Sequence, residues 1–238
     1  MGTDKLSLLF KRFYILIFAF AFSLYTGLAF LAPVLMHYDL ILPGKLIYKF
    51  FGFFCHQLPY RSFFLFGEQA FYPLASANMD RGIITFEEAT QNAKMDFFDL
   101  KSFVGNPQMG YKVALCQRDV AIYLAIVLFC FVFLISNYHI PRLHWIPWII
   151  IGLVPIGLDG FSQLFAAINP AVFPARESTP ILRVITGAMF GFNTAWFLFP
   201  YLDKKLKEDE KRKKEYRKKQ GFKNQSGGYI NKTSYRFI

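Results

Sequence analysis

FYILIFAFAFSLYTGLAFLAPVLM, residues 13–36, is an apolar run without a single charged side chain. As a helix rising about 1.5 Å per residue it would span roughly 36 Å, more than the ~30 Å hydrocarbon core of a bilayer. We read it as a first transmembrane helix, preceded by Lys5, Lys11 and Arg12. The run exceeds the apolar region of a secretory signal, and no small-residue cleavage pattern follows it. Leu6 stands where a myristoylation signal would need Ser or Thr. The whole chain shares this character: 54% hydrophobic and 19% aromatic residues over 238 positions exclude an ordinary soluble domain.

Three further runs are long enough to cross: about Val113 to Asn137, Trp145 to Ala167, and Leu182 to Tyr201. The third span contains Pro147, Gly152 and Pro155, which neighbouring helices can accommodate in a bilayer. In the fourth, Gly187 and Gly191 form a GxxxG spacing that predicts tight packing against another helix. Leu46 to Phe54, after a Leu42-Pro43-Gly44 turn, is too short to span and reads as an interfacial or re-entrant helix, with Phe63 to Phe66 continuing along the interface. The expected fold class is therefore an all-α integral membrane protein with about four transmembrane helices plus this short one.

Residues 75–108 interrupt the apolar pattern with Asp80, Arg81, Glu87, Glu88, Lys94, Asp96, Asp99 and Lys101, and read as a solvated insertion. Within it, Thr85 and Glu88 have the spacing of a capping box. Residues 1–202 form the transmembrane domain, and 203–238 form a tail with thirteen Lys or Arg against five Asp or Glu. The tail predicts a helical extension with i,i+4 charge pairs and then a disordered polar end.

Most of the chain's formal charge of +11 sits in that tail. Lys5, Lys11 and Arg12, then Arg142 between the second and third spans, then the tail, place both termini in the cytoplasm by the positive-inside rule, in a multi-pass protein of the cell (inner) membrane. The insertion is then extracytoplasmic. Basic residues with little aromatic interleaving point to anionic lipid at the cytoplasmic tail, or to a protein partner, and not to nucleic acid.

This topology brings polar residues from four segments to the outer side: Cys55, His56, Gln57 and Arg61; Cys116, Arg118 and Asp119; Asp159, Ser162 and Gln163; and Arg176 to Thr186. Ionisable groups at membrane depth are candidate functional groups by default. Cys55, His56, Cys116 and Asp119 offer two sulfurs, an imidazole and a carboxylate, a set that suits zinc or another transition metal. A structural disulfide between Cys55 and Cys116 is the competing reading. Arg61, Arg118, Arg176, Ser178, Thr179, Arg183 and Thr186 supply guanidinium and hydroxyl groups for a phosphate or carboxylate, or else the arginines pair with Glu177, Asp159 and Asp119 to close the bundle. In an enzyme, Asp159 would be the base. Cys130, in mid-span, reads as a buried small hydrophobe. No G-x-S-x-G, Walker A, H-E-x-x-H or G-x-G-x-x-G pattern is present.

Four motifs occur in order: Cys-His-Gln-x-x-x-Arg-Ser-Phe (Cys55 to Phe63), Leu-Cys-x-Arg followed by Ile-Tyr (Leu115 to Tyr123), Asp159-Gly160, and Arg-x-Ser-Thr-x-x-x-Arg-x-x-Thr-Gly (Arg176 to Gly187). Together they resemble the signature of a bacterial and archaeal family of predicted membrane proteins of unknown function. Asp119 stands where that pattern has a second cysteine, Ala121 where it has glycine, and Pro180 where it tends to have asparagine. The resemblance implies a membrane location and a shared outer-face site. The function expected is an extracytoplasmic-face site that binds a metal ion or an anionic lipid-like ligand, with or without catalysis. A non-catalytic membrane subunit or carrier is the alternative.

Overall fold

Apolar length decides the architecture, and the computed structural model places a helix on every long run. It describes residues 2–79, 82–92, 95–168, 172 and 176–230, and their side chains except at 2–12, 167, 217 and 220–230. The side chains of Lys5, Lys11 and Arg12, together with Asp80, Arg81, Lys94 and the terminal 231–238, lie outside that set, as does most of the loop before residue 176. Helix α1 spans Gly2–His37 and α2 spans Ile41–Phe51. Strand β1 (Ser62–Leu65) follows, then the short helices α3 (Phe86–Thr90) and α4 (Phe97–Ser102), and strands β2 (Gly105–Asn106) and β3 (Gly110–Cys116). Helix α5 (Gln117–Ile135) begins where β3 ends; α6 (Trp145–Pro147), a π-helical turn (Trp148–Leu153) and α7 (Val154–Ile168) form one continuous rod, and α8 runs Pro180–Ile230.

Among the described residues, four helices are long and apolar enough to cross a membrane: Phe13–His37, Gln117–Ile135, Trp145–Ala166 and Pro180–Tyr216. Their outward faces carry large apolar side chains such as Phe20, Ile135 and Leu158, each more than two-thirds exposed. Such faces need lipid rather than water. The protein is mostly helical, as its composition dictates.

A small antiparallel sheet, in the order β1-β3-β2, is an addition to the expected helices. Val113 to Cys116 was expected as the entrance of the second span; these residues belong instead to the central strand, Gly110–Cys116, and the span starts at Gln117. Phe63 and Phe64, expected along the interface, lie in β1, where Ser62 faces Cys116 and Phe64 faces Lys112 across an irregularity in the ladder. The β2–β3 turn is held by the Asn106 side chain, which accepts hydrogen bonds from the Gln108 and Met109 amides at 3.0 and 2.7 Å. Gly110 has a φ of 76°, and an added Cβ would drive into the Leu65 carbonyl. Val113, Ala114 and Leu115 of β3 pack with Ala29 and Ala32 of α1 and Phe51 of α2. A smaller core of Phe64, Tyr72, Phe86 and Met109 anchors the insertion on the sheet.

The Leu42-Pro43-Gly44 stretch is the first turn of α2 rather than a turn before it, because proline is tolerated among the first residues of a helix. Thr85 and Glu88 form the expected reciprocal capping box. The π-helical turn lies between Pro147 and Pro155, where a missing amide at each end loosens the regular ladder. Trp148 then donates its indole N–H to Thr194 on α8 at 3.1 Å. Gly187 and Gly191 bring α8 against α5 at Arg118, Ala121 and Ile122, so the GxxxG spacing serves packing within one chain. The spans alternate in direction. The C-terminal ends of α1 and α7 and the N-terminal ends of α5 and α8 therefore meet at the end that carries the sheet.

Candidate functional site

The junction of β3 and α5 builds the first part of the site. Cys116 is the N-cap residue of α5, its sulfur accepting the Asp119 amide hydrogen at 3.4 Å. That geometry turns the Asp119 side chain to the same side as the sulfur. Cys55 arrives from the end of α2, where its amide bonds to the Phe51 carbonyl at 2.9 Å. One ligand atom each of Cys55, Cys116 and Asp119 then lies within 4.8 Å of the others. Both cysteines are free thiols. Their mutual hydrogen bond pulls the Cys55 pKa down and pushes that of Cys116 well up. The pair thus gives up its first proton more readily than an isolated thiol and its second less readily.

Gln57 and Lys112 hold this corner together. Gln57 sits at a φ of 55°, a left-handed conformation costly for a residue with a side chain. Its side-chain Nε2 donates to the carbonyls of Tyr48 at 2.9 Å and Ala114 at 3.0 Å, tying α2 to β3. Lys112, fully buried, donates to the carbonyls of Gln57 at 2.5 Å and Lys101 at 3.0 Å. Burial lowers its pKa from the usual 10.5 to about 7. The folded protein therefore binds fewer protons at this site than the unfolded chain between those values, so stability rises with pH across that window. The slope is on the order of 1 kcal/mol per pH unit. Melting the protein in detergent between pH 7 and 10 should show this rise, and Lys112→Met should flatten it. An unchanged slope in the variant would assign the effect to other groups.

The second part of the site is an arginine–carboxylate network. Glu177 accepts two hydrogen bonds from Arg61, each at 2.8 Å, and a further one from Arg183. Arg183 also donates to the Tyr60 carbonyl and the Gln117 side-chain oxygen, both at 3.2 Å. Gln117 in turn donates to the Ser62 carbonyl at 3.0 Å. Asp159 is ion-paired with Arg118, accepts from the Ser178 hydroxyl at 2.9 Å, and lies 3.8 Å from Arg176. Four guanidinium groups thus surround two carboxylates, an excess of two positive charges. The Nε atoms of Arg118 and Arg183 are buried with no hydrogen-bond partner among the described residues.

Among the candidate ligands, Cys55, Cys116 and Asp119 converge, whereas His56 does not: it is exposed, with its ring edge-on to Phe97 at 6.0 Å between centroids. The adjacent Cys55 and Gln57 are both turned inward, which leaves the intervening residue pointing out. Arg61, Arg118, Arg176 and Arg183 are brought together with Asp159, Glu177 and Ser178. Thr179 instead caps α8, accepting from the Leu182 amide at 3.2 Å, and Thr186 bonds back to the Leu182 carbonyl at 2.8 Å. Cys130 is fully buried in the core at the opposite end of the bundle. Lys112 and Gln117 were not expected as site residues. Their signal was faint: a lone lysine in Val-Ala-Leu company and a glutamine at a span entrance.

Fold and apolar surface define a multi-pass helical membrane protein with a polar site at one end. Residues 103–197 match the family model described as "Predicted membrane protein (DUF2085)". An uncharacterized protein of Methanocaldococcus jannaschii is 25% identical over 158 residues, covering 65% of this chain and 67% of its own. The chain fits an uncharacterised family of membrane proteins. No solved structure matches it significantly. The matched region contains Cys116, Asp119, Asp159 and Arg176 to Thr186, while Cys55 and Arg61 precede it.

Proposed function

We propose that the sheet-bearing end of this membrane protein faces the extracytoplasmic side and binds a zinc-class metal ion on Cys55, Cys116 and Asp119, next to an arginine network that receives an anionic, lipid-like group. The observation that carries this reading is the convergence of two thiols and a carboxylate within 4.8 Å. Two sulfurs and one oxygen are a ligand set for zinc, and three protein ligands would leave a fourth position open, as in catalytic zinc sites. Bound there, the metal would supply Lewis acidity beside the arginines. The excess of guanidinium over carboxylate supports an anionic partner. The basic flanks named from the sequence support the orientation.

Elemental analysis of protein purified in mild detergent, before and after zinc loading, tests the reading. Near-stoichiometric metal is expected, and Cys55→Ser or Cys116→Ser should weaken binding about 100-fold or more, the upper range found even for outer-shell partners. His56→Ala should retain the metal, since His56 points away from the cluster. Failure of zinc to bind the reduced protein would remove the metal site and leave the thiols as a packing pair. The closed Arg61–Glu177–Arg183 pairing specifically favours a second reading, a non-catalytic membrane subunit in which the network only fastens the bundle.

A further inference from the structure

We infer a second binding site at the opposite end of the bundle, a cleft for the phosphate headgroup of an anionic phospholipid. The cleft, about 770 Å³, lies between the loop after α5, residues 138–142, and α8 from Pro200 to Lys211. Its position is set by the spans. Residues 138–142 fall between the apolar ends Ile135 and Trp145, and α8 becomes charged at Asp203, just past Tyr201 and Leu202. The lining therefore stands at the level where lipid headgroups meet water.

Several contacts make the wall a built surface. Consecutive left-handed residues Asn137 and Tyr138, with φ of 52° and 62°, reverse the chain at the end of α5. Trp196 on α8 donates its indole N–H to the Pro141 carbonyl at 2.9 Å, fixing the loop against α8. Arg142 is then stacked over Phe197 and Tyr201, its guanidinium carbon 4.3 and 4.6 Å from the ring centroids. This uses the ring faces and leaves the in-plane N–H groups for an oxygen acceptor.

Charge supplies the specificity. The lining holds Arg142, Lys204, Lys205, Lys207 and Lys211 against Asp203 and Glu208. Lys207 pairs with Asp203 at 2.6 Å and Lys205 with Glu208 at 3.3 Å. Among the described residues, Arg142, Lys204 and Lys211 have no ion-pair partner, so three positive charges on the cleft wall remain without a carboxylate. Aromatic groups at lipid depth with basic groups just above them match a phospholipid, whose acyl chains stay in the bilayer while its phosphate reaches the cleft. A soluble phosphate would gain nothing from the aromatic floor.

The test uses the full-length protein in nanodiscs containing a mixture of phosphatidylglycerol and phosphatidylcholine, with retained lipid counted by native mass spectrometry. Phosphatidylglycerol should be retained over phosphatidylcholine by about tenfold, given the attraction each basic group exerts on anionic lipid. Lys204→Gln with Lys211→Gln, which leaves the Arg142 stack intact, should reduce the preference several-fold, and adding Arg142→Gln should abolish it. The control Lys213→Gln with Lys218→Gln and Lys219→Gln, farther along α8, should leave it unchanged. Equal loss in the control would show diffuse attraction by the tail and overturn the cleft. Displacement by inorganic phosphate at concentrations similar to the lipid would overturn the lipid assignment. Because these substitutions lie at the opposite end from the thiol cluster, metal content measured in the same variants separates this proposal from the one above.

Discussion

Replacing Glu177 with glutamine should cost the protein about 3–5 kcal/mol, the range for breaking a buried ion pair by removing one partner. The carboxylate is shared: Arg61 reaches both of its oxygens, and Arg183, with a side chain only 2% exposed, reaches one of them. Glutamine preserves shape and one carbonyl acceptor, but it leaves two guanidinium charges facing an amide. Arg183 cannot swing to water without opening the α5–α8 interface. In a thermal melt in detergent, the midpoint should fall by roughly 10 °C on the scale of a protein this size. Arg176→Gln provides the contrast, because Arg176 is 48% exposed and only 3.8 Å from Asp159. Such pairs contribute about 1 kcal/mol or less.

The same variant also probes ligand binding. If the arginines receive an anionic group, added phosphate should recover part of the lost stability of Glu177→Gln by occupying the space between Arg61 and Arg183. No recovery would favour the purely structural role of the network. A midpoint within a degree or two of the parent would show that Glu177 is not compensating either arginine.

Much of this arrangement was legible in the sequence for a simple reason. Hydropathy runs of 19 or more residues have few alternatives to a span, and once spans are placed their ends are placed too. Four separated polar segments could therefore be assigned to one end before any contact was known. Pairwise chemistry within that end was less legible. Cys55, Cys116 and Asp119 meet because Cys116 caps α5, a local geometry that follows from the strand-to-helix junction at residues 116–117. The junction was hidden, since Val113-Ala114-Leu115 reads equally as a buried strand or as the first turn of a helix. The same ambiguity concealed Lys112, whose alternation with Tyr111 is meaningful only on a strand. His56 shows the opposite failure. Sequence adjacency to Cys55 suggested a shared ligand set, but the left-handed Gln57 and the inward Cys55 send the imidazole outward.

Gly191→Leu should prevent the bundle from assembling, and Gly191→Ala should already cost about 2–3 kcal/mol through overpacking. A Cβ at Gly191 would lie 2.9 Å from both the carbonyl carbon and the Cα of Ile122, and closer still to its carbonyl oxygen. These are backbone atoms of α5, so no side-chain rotation can relieve the clash. Gly187, one turn earlier, meets the Arg118 carbonyl oxygen at 2.7 Å in the same way. The two helices would have to separate along the contact that positions Arg118, Asp119 and Arg183 together. In a bilayer little hydrophobic force would draw them back, because lipid tails are as apolar as the helix faces, and association rests on close packing. Gly27 isolates this effect from helix propensity. It lies in α1 with nothing within 4 Å of an added Cβ, so Gly27→Ala should stabilise or leave the melt unchanged. Measured side by side in detergent, a drop for Gly191→Ala with none for Gly27→Ala would locate a close backbone contact between α5 and α8. Equal behaviour of the two variants would mean that α8 does not approach α5 through this face, and the arginine network built on that approach would have to be redrawn.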